Sequence, residues 1–303
     1  MSTRWSHLKS DADHALEYGN YQEAEMLWRR ALKETESFEQ DDQRIPLTLD
    51  RLSDILCHQE KYQEAEDFLV RSAQFRDQYR NSSREEVAAT LSRLCTVYYH
   101  LEKLEEAEAT ARAAIKLYDS DLSDQRGAQS KCYYDLGRLL HVKGDVAGAE
   151  DAYRKSLGLR ESALGEDHVS VSDVLFALAT LLDEDERWTE CEPLYERCIQ
   201  IREHHLGASH GDVVAAMGNL ANLYLKENRL IDAKSAYEKL WLEMDKIPES
   251  RQPHLIPYMA SRSRRRSRPG PPRARRQRRA RWRACARAGT PRGRWCGGAG
   301  RRT

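Results

Sequence analysis

Apolar residues recur at i, i+3 and i+7 in LDRLSDIL (49–56), LSRLCTVYYH (91–100) and YYDLGRLLHV (133–142): Leu49, Leu52, Leu56; Leu91, Leu94, Tyr98; Tyr133, Leu136, Leu140. LFALATLL (175–182) and MGNLANLYL (217–225) repeat the pattern. This spacing puts the apolar set on one face of a helix, with polar residues on the other. A second kind of segment follows each of these: EKYQEAEDFLVRSA, EKLEEAEATARAAI, GDVAGAEDAYRKSL, ERWTECEPLYERCI and NRLIDAKSAYEKLW, with GNYQEAEMLWRRAL ahead of them all. Each begins with a polar turn and then carries a small residue, with apolar or small residues four and seven positions on. The first small residue falls at Ala24, Ala65, Ala107, Ala149, Cys191 and Ala233, with gaps of 41, 42, 42, 42 and 42. A generic helical bundle predicts amphipathic helices but no fixed period, so the chain reads as a tandem array of helix pairs.

The residue after the central Leu of each first helix is also small: Ser53, Cys95, Gly137, Ala179 and Ala221. Small groups at this height predict close approach of the first helix to the second, opposite the small residues named above. The leading unit departs from the pattern, with Asp11 in the slot where the others have Leu, leaving Leu8, Ala12, Ala15 and Leu16. A terminal unit with a wetter outer face is what an array needs for a soluble end.

At Leu136-Gly137, Gly144, Ala149 and Tyr153 the spacing resembles the tetratricopeptide repeat, a helix–turn–helix unit of usually about 34 residues. The longer unit here resembles the repeats of kinesin light chain and its bacterial look-alikes. ALGEDHVSV (163–171) and HLGASHGDV (205–213) support this with an L-G-x-x-H-x-x-V linker, in which Leu164/Leu206, Gly165/Gly207 and His168/His210 are 42 apart. The family often has Pro after this His; here the residues are Val169 and Gly211. The resemblance implies an all-α fold, a right-handed superhelical solenoid. Its units are about 5–38, 46–79, 88–121, 130–163, 172–205 and 214–247, followed by the start of an interrupted seventh unit at 248–261.

The resemblance further implies that the first helices line a concave groove holding a peptide or helix of a partner protein. The residues expected there are Arg51, Asp54 and His58; Arg93, Thr96 and His100; Asp135, Arg138 and His141; Ala177 and Thr180; Asn219 and Asn222. Asn219 and Asn222 resemble the Asn-bearing helix of kinesin-light-chain-like repeats, where a side-chain amide can hold a peptide backbone through its donor and acceptor. Some tetratricopeptide domains clamp a terminal carboxylate with Lys, Asn, Asn, Lys and Arg. Lys9 and Arg93 fill two such slots, but Asp13 and Arg51 stand where Asn is needed, and Asp13 repels a carboxylate.

Composition changes the picture at one place. The 303 residues carry 49 Lys+Arg and 49 Asp+Glu. Residues 262–303 hold 17 Arg, no Lys and no acid, which leaves a net charge of −17 on residues 1–261. The Arg run begins inside the seventh unit, with Arg262 in a Leu slot. Such a segment cannot pack a core and is expected to be a disordered tail. It reads as a nucleic-acid-binding arm, as an intramolecular partner of the acidic array, or as frame-shifted sequence rich in GC-codon residues. Nucleic acid is thus expected only through residues 262–303.

No enzyme chemistry is expected. There is no phosphate-cradling Gly loop, nucleophile elbow or HExxH in the helical body, and no cofactor or metal is called for. The Cys residues (57, 95, 132, 191, 198, 285 and 296) form no CxxC pair or zinc spacing. With no membrane span and no export signal in the N-terminal stretch, the expected place is the cytoplasm. The expected role is a protein–protein interaction scaffold.

Overall fold

The computed structural model describes residues 3–80, 82–121 and 125–246. The expected Arg-rich tail and the interrupted seventh unit lie outside these residues. Among the described residues there are twelve α-helices and one short 3-10 turn, and no strand. In chain order the helices are α1 (Thr3–Glu17), α2 (Tyr21–Glu34), α3 (Arg44–His58), α4 (Tyr62–Tyr79), α5 (Arg84–His100) and α6 (Leu104–Asp121). They continue as α7 (Arg126–Lys143), α8 (Val146–Leu164), α9 (Val169–Glu184), α10 (Trp188–Leu206), α11 (Gly211–Lys226) and α12 (Leu230–Met244). Each packs against the helix before and the helix after it. In addition α3 touches α5, α5 touches α7 and α7 touches α9, and no even-numbered pair does so to the same extent. In a curved two-layer stack the inner layer is the crowded one, so the odd-numbered helices form the concave side. The architecture is a right-handed superhelical solenoid of helix–turn–helix repeats.

The small residues sit where the spacing predicts. Ser53, Cys95 and Ala179 are buried, as are Ala65, Ala107, Ala149, Cys191, Ala221 and Ala233. At Gly137 the approach is close enough that an added Cβ would lie 2.6 Å from the Tyr153 ring.

Two turn devices carry the period. Between the helices of each pair one residue takes a left-handed conformation: Gly19, Glu60, Glu102, Gly144, Glu186 and Asn228. Only two of these are Gly, so the packing of the pair imposes a conformation that Glu adopts at some cost. The L-G-x-x-H linker closes a helix and opens the next. Gly165 and Gly207 have φ of 91° and 86°, which a side chain would resist. His168 and His210 are N-caps: their Nδ1 accepts from the backbone N–H of Ser170 (3.2 Å) and Asp212 (3.3 Å). Val169 and Gly211 then occupy the first helical position, where Pro is well tolerated, which accounts for the Pro common in the related motif.

The first unit is drier than the wet cap expected. Asp11 is exposed as predicted, but Trp5 is buried beside Trp28, with ring centroids 6.2 Å apart, and its indole N–H donates to Thr48 Oγ1 at 3.0 Å. One large aromatic anchors the first pair of helices to the second.

An ion-pair ladder runs along the even-numbered helices. The acid is the residue directly after the small one, and the cation is the residue before the next even helix. The rungs are Lys61–Glu25 (3.0 Å), Lys103–Glu66 (2.5 Å), Arg187–Glu150 (2.5 Å) and Arg229–Glu192 (2.7 Å). Where Asp145 fills the cation slot, Lys143 substitutes by reaching Glu108 at 2.6 Å. Hydrogen bonds from Lys143 and Arg187 hold the Glu108 and Glu150 carboxyls below the ordinary value of 4.5. A folded-state value below the unfolded one supplies stability above pH 4.5, which is lost as pH falls through the lowered value. Glu108→Gln is therefore expected to flatten the fall in melting temperature between about pH 5 and pH 3, and high salt is expected to shrink the difference from wild type. Identical acid profiles for the two proteins would show that the rung contributes nothing.

Candidate functional site: the concave face

The positions that point into the curve come from helical geometry. On each odd helix the residues flanking the central Leu lie away from the even helix that buries that Leu. The expected groove residues all fall on α3, α5, α7, α9 and α11. Asp135 is buried, and the other residues expected in the groove are half-buried or exposed.

Most of them are engaged by other side chains of this chain, within a unit or across a junction. Arg93 Nε donates to Asp54 at 2.8 Å. The His58 ring stacks on Tyr21 (4.8 Å), and His100 stacks on Tyr62 (4.2 Å, planes 5° apart). The Arg138 guanidinium lies 4.3 Å from the Tyr99 ring centroid. Asn219 Nδ2 donates to Tyr195 Oη at 3.4 Å, and the Thr180 hydroxyl lies 3.3 Å from the same oxygen. The Tyr237 hydroxyl donates to Asn222 Oδ1. The Asn222 amide oxygen therefore already accepts one hydrogen bond inside its own unit, while its N–H groups make none among the described residues. Arg51 is exposed and makes no hydrogen bond or ion pair among the described residues. His141 is out of register with His58 and His100. It stands 42 after Tyr99, and its Nε2 meets Glu184 at 2.8 Å, while exposed Val142 takes the His slot. Of the carboxylate-clamp slots, Lys9 pairs with Asp13 at 2.7 Å and Arg93 with Asp54.

The centre of the face is a small cavity of about 10 Å³ lined by Cys95, Thr96, Tyr99, Asp135 and Arg138. Burial pushes the Asp135 carboxyl above the ordinary carboxylate range, against the pull of Lys131, Arg138, Arg160 and His100. Burial also pushes the Cys57 thiol up to about 11, which favours its protonated form at neutral pH. Among the described residues no group of His, Cys, Asp and Glu is arranged to hold a metal ion, and no helix is long and apolar enough to cross a membrane.

Sequence reasoning missed the aromatic lining. Tyr99 and Tyr134 flank Arg138, whose guanidinium also lies 6.0 Å from the Tyr134 ring, and Tyr153 lies 5.9 Å from Tyr134. The signal was present in part, because Tyr153, Tyr195 and Tyr237 are spaced by 42. Tyr134 is echoed 42 residues on by Phe176, which packs on Tyr195 as Tyr134 does on Tyr153, whereas Tyr99 has no aromatic Tyr or Phe echo and becomes legible only when α5 and α7 are brought side by side.

A tetratricopeptide repeat family model matches residues 44–120 and 86–162, and a second matches 177–212. Together these spans take in just over half of the chain. No curated protein matches it significantly. Solved structures with the same fold include the nearly identical TPR-like repeats of a kinesin light chain from Podosopora anserina, with 18% identity over 66% of this chain and 94% of that one, at a TM-score of 0.56. BtubC (BKLC) from P. vanneervenii has 16% identity over 89% of this chain and 96% of that one, at a TM-score of 0.57. The apo form of the quorum sensor NprR from B. thuringiensis has 13% identity over 85% of this chain and 69% of that one, at a TM-score of 0.68. At these identities the structural likeness speaks for the fold alone. The chain belongs to the tetratricopeptide repeat family, and its long units are similar to those of kinesin light chain.

Proposed function

We propose that the protein is a non-enzymatic interaction scaffold, built of six units over residues 1–247, whose concave face binds an extended or helical segment of a partner protein. The observation that supports this most is the continuous inner surface of odd-numbered helices. Polar and aromatic side chains from α3 to α11 share it, with Arg51, Asp135 and the Asn222 amide N–H groups unclaimed. A broad face with a few unsatisfied polar groups suits a peptide, whose backbone supplies donors and acceptors at regular intervals. Peptides selected on the full chain from a random display library are expected to slow amide exchange in α3, α5, α7, α9 and α11. Their affinity is expected to fall about tenfold with Arg51→Ala or Asn222→Ala, the loss typical of an interface hot spot. Protection confined to the even-numbered helices, or no retained peptide, would overturn the reading. The alternative reading is a nucleic-acid-associated protein, with binding only through residues 262–303 and their 17 Arg. A salt titration of RNA binding with and without that segment separates the two activities, since phosphate contacts weaken steeply with salt.

A further inference from the structure

Inward side chains pair across the unit junction that precedes Asp135. At the junction of α3 and α5, Arg93 donates to Asp54 and lies 3.9 Å from Asp50. At the next junction the equivalent positions are Thr96 and Asp135. The Thr96 hydroxyl donates instead to the Ser92 carbonyl at 3.2 Å. Asp135 is 9% exposed, and its buried Oδ2 makes no hydrogen bond. The other buried carboxylate, Asp50, receives Ser72, Thr90 and Arg76. Asp135 is thus a buried acceptor on the concave side to which this chain brings no donor, beside a cavity that Thr96, Tyr99 and Arg138 help to line.

None of the nearby cations is bonded to Asp135. Arg138 is turned onto Tyr99. Arg160 donates to Ser130 Oγ at 3.0 Å and to the Ser170 carbonyl at 2.5 Å. His100 stacks on Tyr62, and Lys131 is exposed. None comes within ion-pair reach of Asp135, but their charge favours its ionised form. The cavity, about 10 Å³, accepts one group the size of a water molecule. An ammonium nitrogen has that size and three donors, whereas a guanidinium is planar and larger.

We propose that the Asp135 cavity is an anchor for a primary ammonium group, supplied by a lysine side chain or by the N-terminal amine of the bound segment. The proposal rests on the groove reading for its biological ligand, but its chemistry can be tested without a peptide. The charged groups facing Asp135 are Lys131, Arg138, Arg160 and His100, of which only His100 titrates between acid and neutral pH.

The test follows the Asp135 carboxyl carbon by NMR in the full, Asp-labelled chain. Titration with n-butylammonium is expected to shift this resonance saturably and to move its titration to lower pH. Tetramethylammonium, which has no N–H, is expected to do neither. Asp135→Asn is close to isosteric and removes a buried charge, so it should fold, and it should lose the response of the Tyr99 ring to n-butylammonium. Two N-acetylated Gly-rich peptides, one with Lys and one with Nε-acetyl-lysine, test the side-chain source. A lysine-free peptide with a free N-terminus tests the other. The preferred source is expected to bind about tenfold more tightly than its acetylated twin, a difference that vanishes in Asp135→Asn. An Asp135 resonance indifferent to n-butylammonium, or equally sensitive to tetramethylammonium, overturns the anchor. If that happens while selected peptides still protect the odd helices, the groove stands without it. If n-butylammonium binds and no peptide does, the groove reading fails instead.

Discussion

Asp50→Ala is expected to lower the free energy of unfolding by about 3–5 kcal/mol, because it strands a buried guanidinium. Asp50 lies in α3 and joins three helices. It accepts from Ser72 (2.6 Å) and Arg76 (2.9 Å) of α4 and from Thr90 (3.2 Å) of α5. The Asp50 and Arg76 side chains are 5% and 4% exposed, and Arg76 already has Nε and Nη1 buried without partners. Burial nonetheless pushes the Asp50 carboxyl above its ordinary value, despite the opposing pull of Arg76. Desolvation thus opposes the charged form here, and buried pairs of this kind commonly add little net stability over an apolar replacement. The second half of the prediction follows from this. Replacing both members, Asp50→Leu with Arg76→Leu, is expected to recover most of the loss, as apolar pairs commonly do at such sites. Urea unfolding with amide exchange localised to α3–α5 checks this, since a solenoid can open at one junction while the rest stays folded. A double variant as unstable as Asp50→Ala would show that the network stabilises through its geometry and not merely by avoiding a lone charge.

The close approach of α7 to α8 supports the second large effect. A Cβ at position 137 would lie 2.6 Å from Tyr153 Cδ1 and 2.7 Å from Cε1. Tyr153 is buried against Tyr134 and has little room to retreat. Gly137→Leu is expected to destabilise by about 1–3 kcal/mol through overpacking. Removing a helix-interior Gly returns only about 0.5–1 kcal/mol, so the clash wins. Adding Tyr153→Ala to Gly137→Leu is expected to restore part of the loss, because the neighbouring pair does well with Cys95 and Ala111 at these two positions, both buried. Wild-type stability for Gly137→Leu would mean that the α7–α8 register differs from the one described.

How much was legible beforehand depends on how far apart the cooperating residues stand. The helix pairs, their small-residue contacts and the L-G-x-x-H linker all lie within one unit or repeat with its period. The linker's chemistry, Gly for a positive φ and His as an N-cap, needed only the local backbone to be explained. The face that carries the candidate groove was legible too, because it is the complement of the apolar stripe. The behaviour of individual groove residues was not. Asn222 looked like a ready peptide clamp, yet Tyr237 claims its carbonyl oxygen. Asp135 looked like one polar residue among several, yet it is the buried one. Trp5 lay outside the period altogether, so nothing in the repeat marked it as the residue that fastens the first pair to Thr48.

By itself the sequence determined the all-helical array, its period and its inner and outer faces, because these depend on spacing along one chain and a helix converts spacing directly into direction. Only the tertiary structure decided which side chains meet across the junctions. There, residues about 40 positions apart come within hydrogen-bonding distance, and whether a charge is paired, stacked or left alone depends on what the neighbouring unit offers. The same holds for Asp135: its sequence context is ordinary, and its want of a partner appears only once α5 and α7 stand side by side.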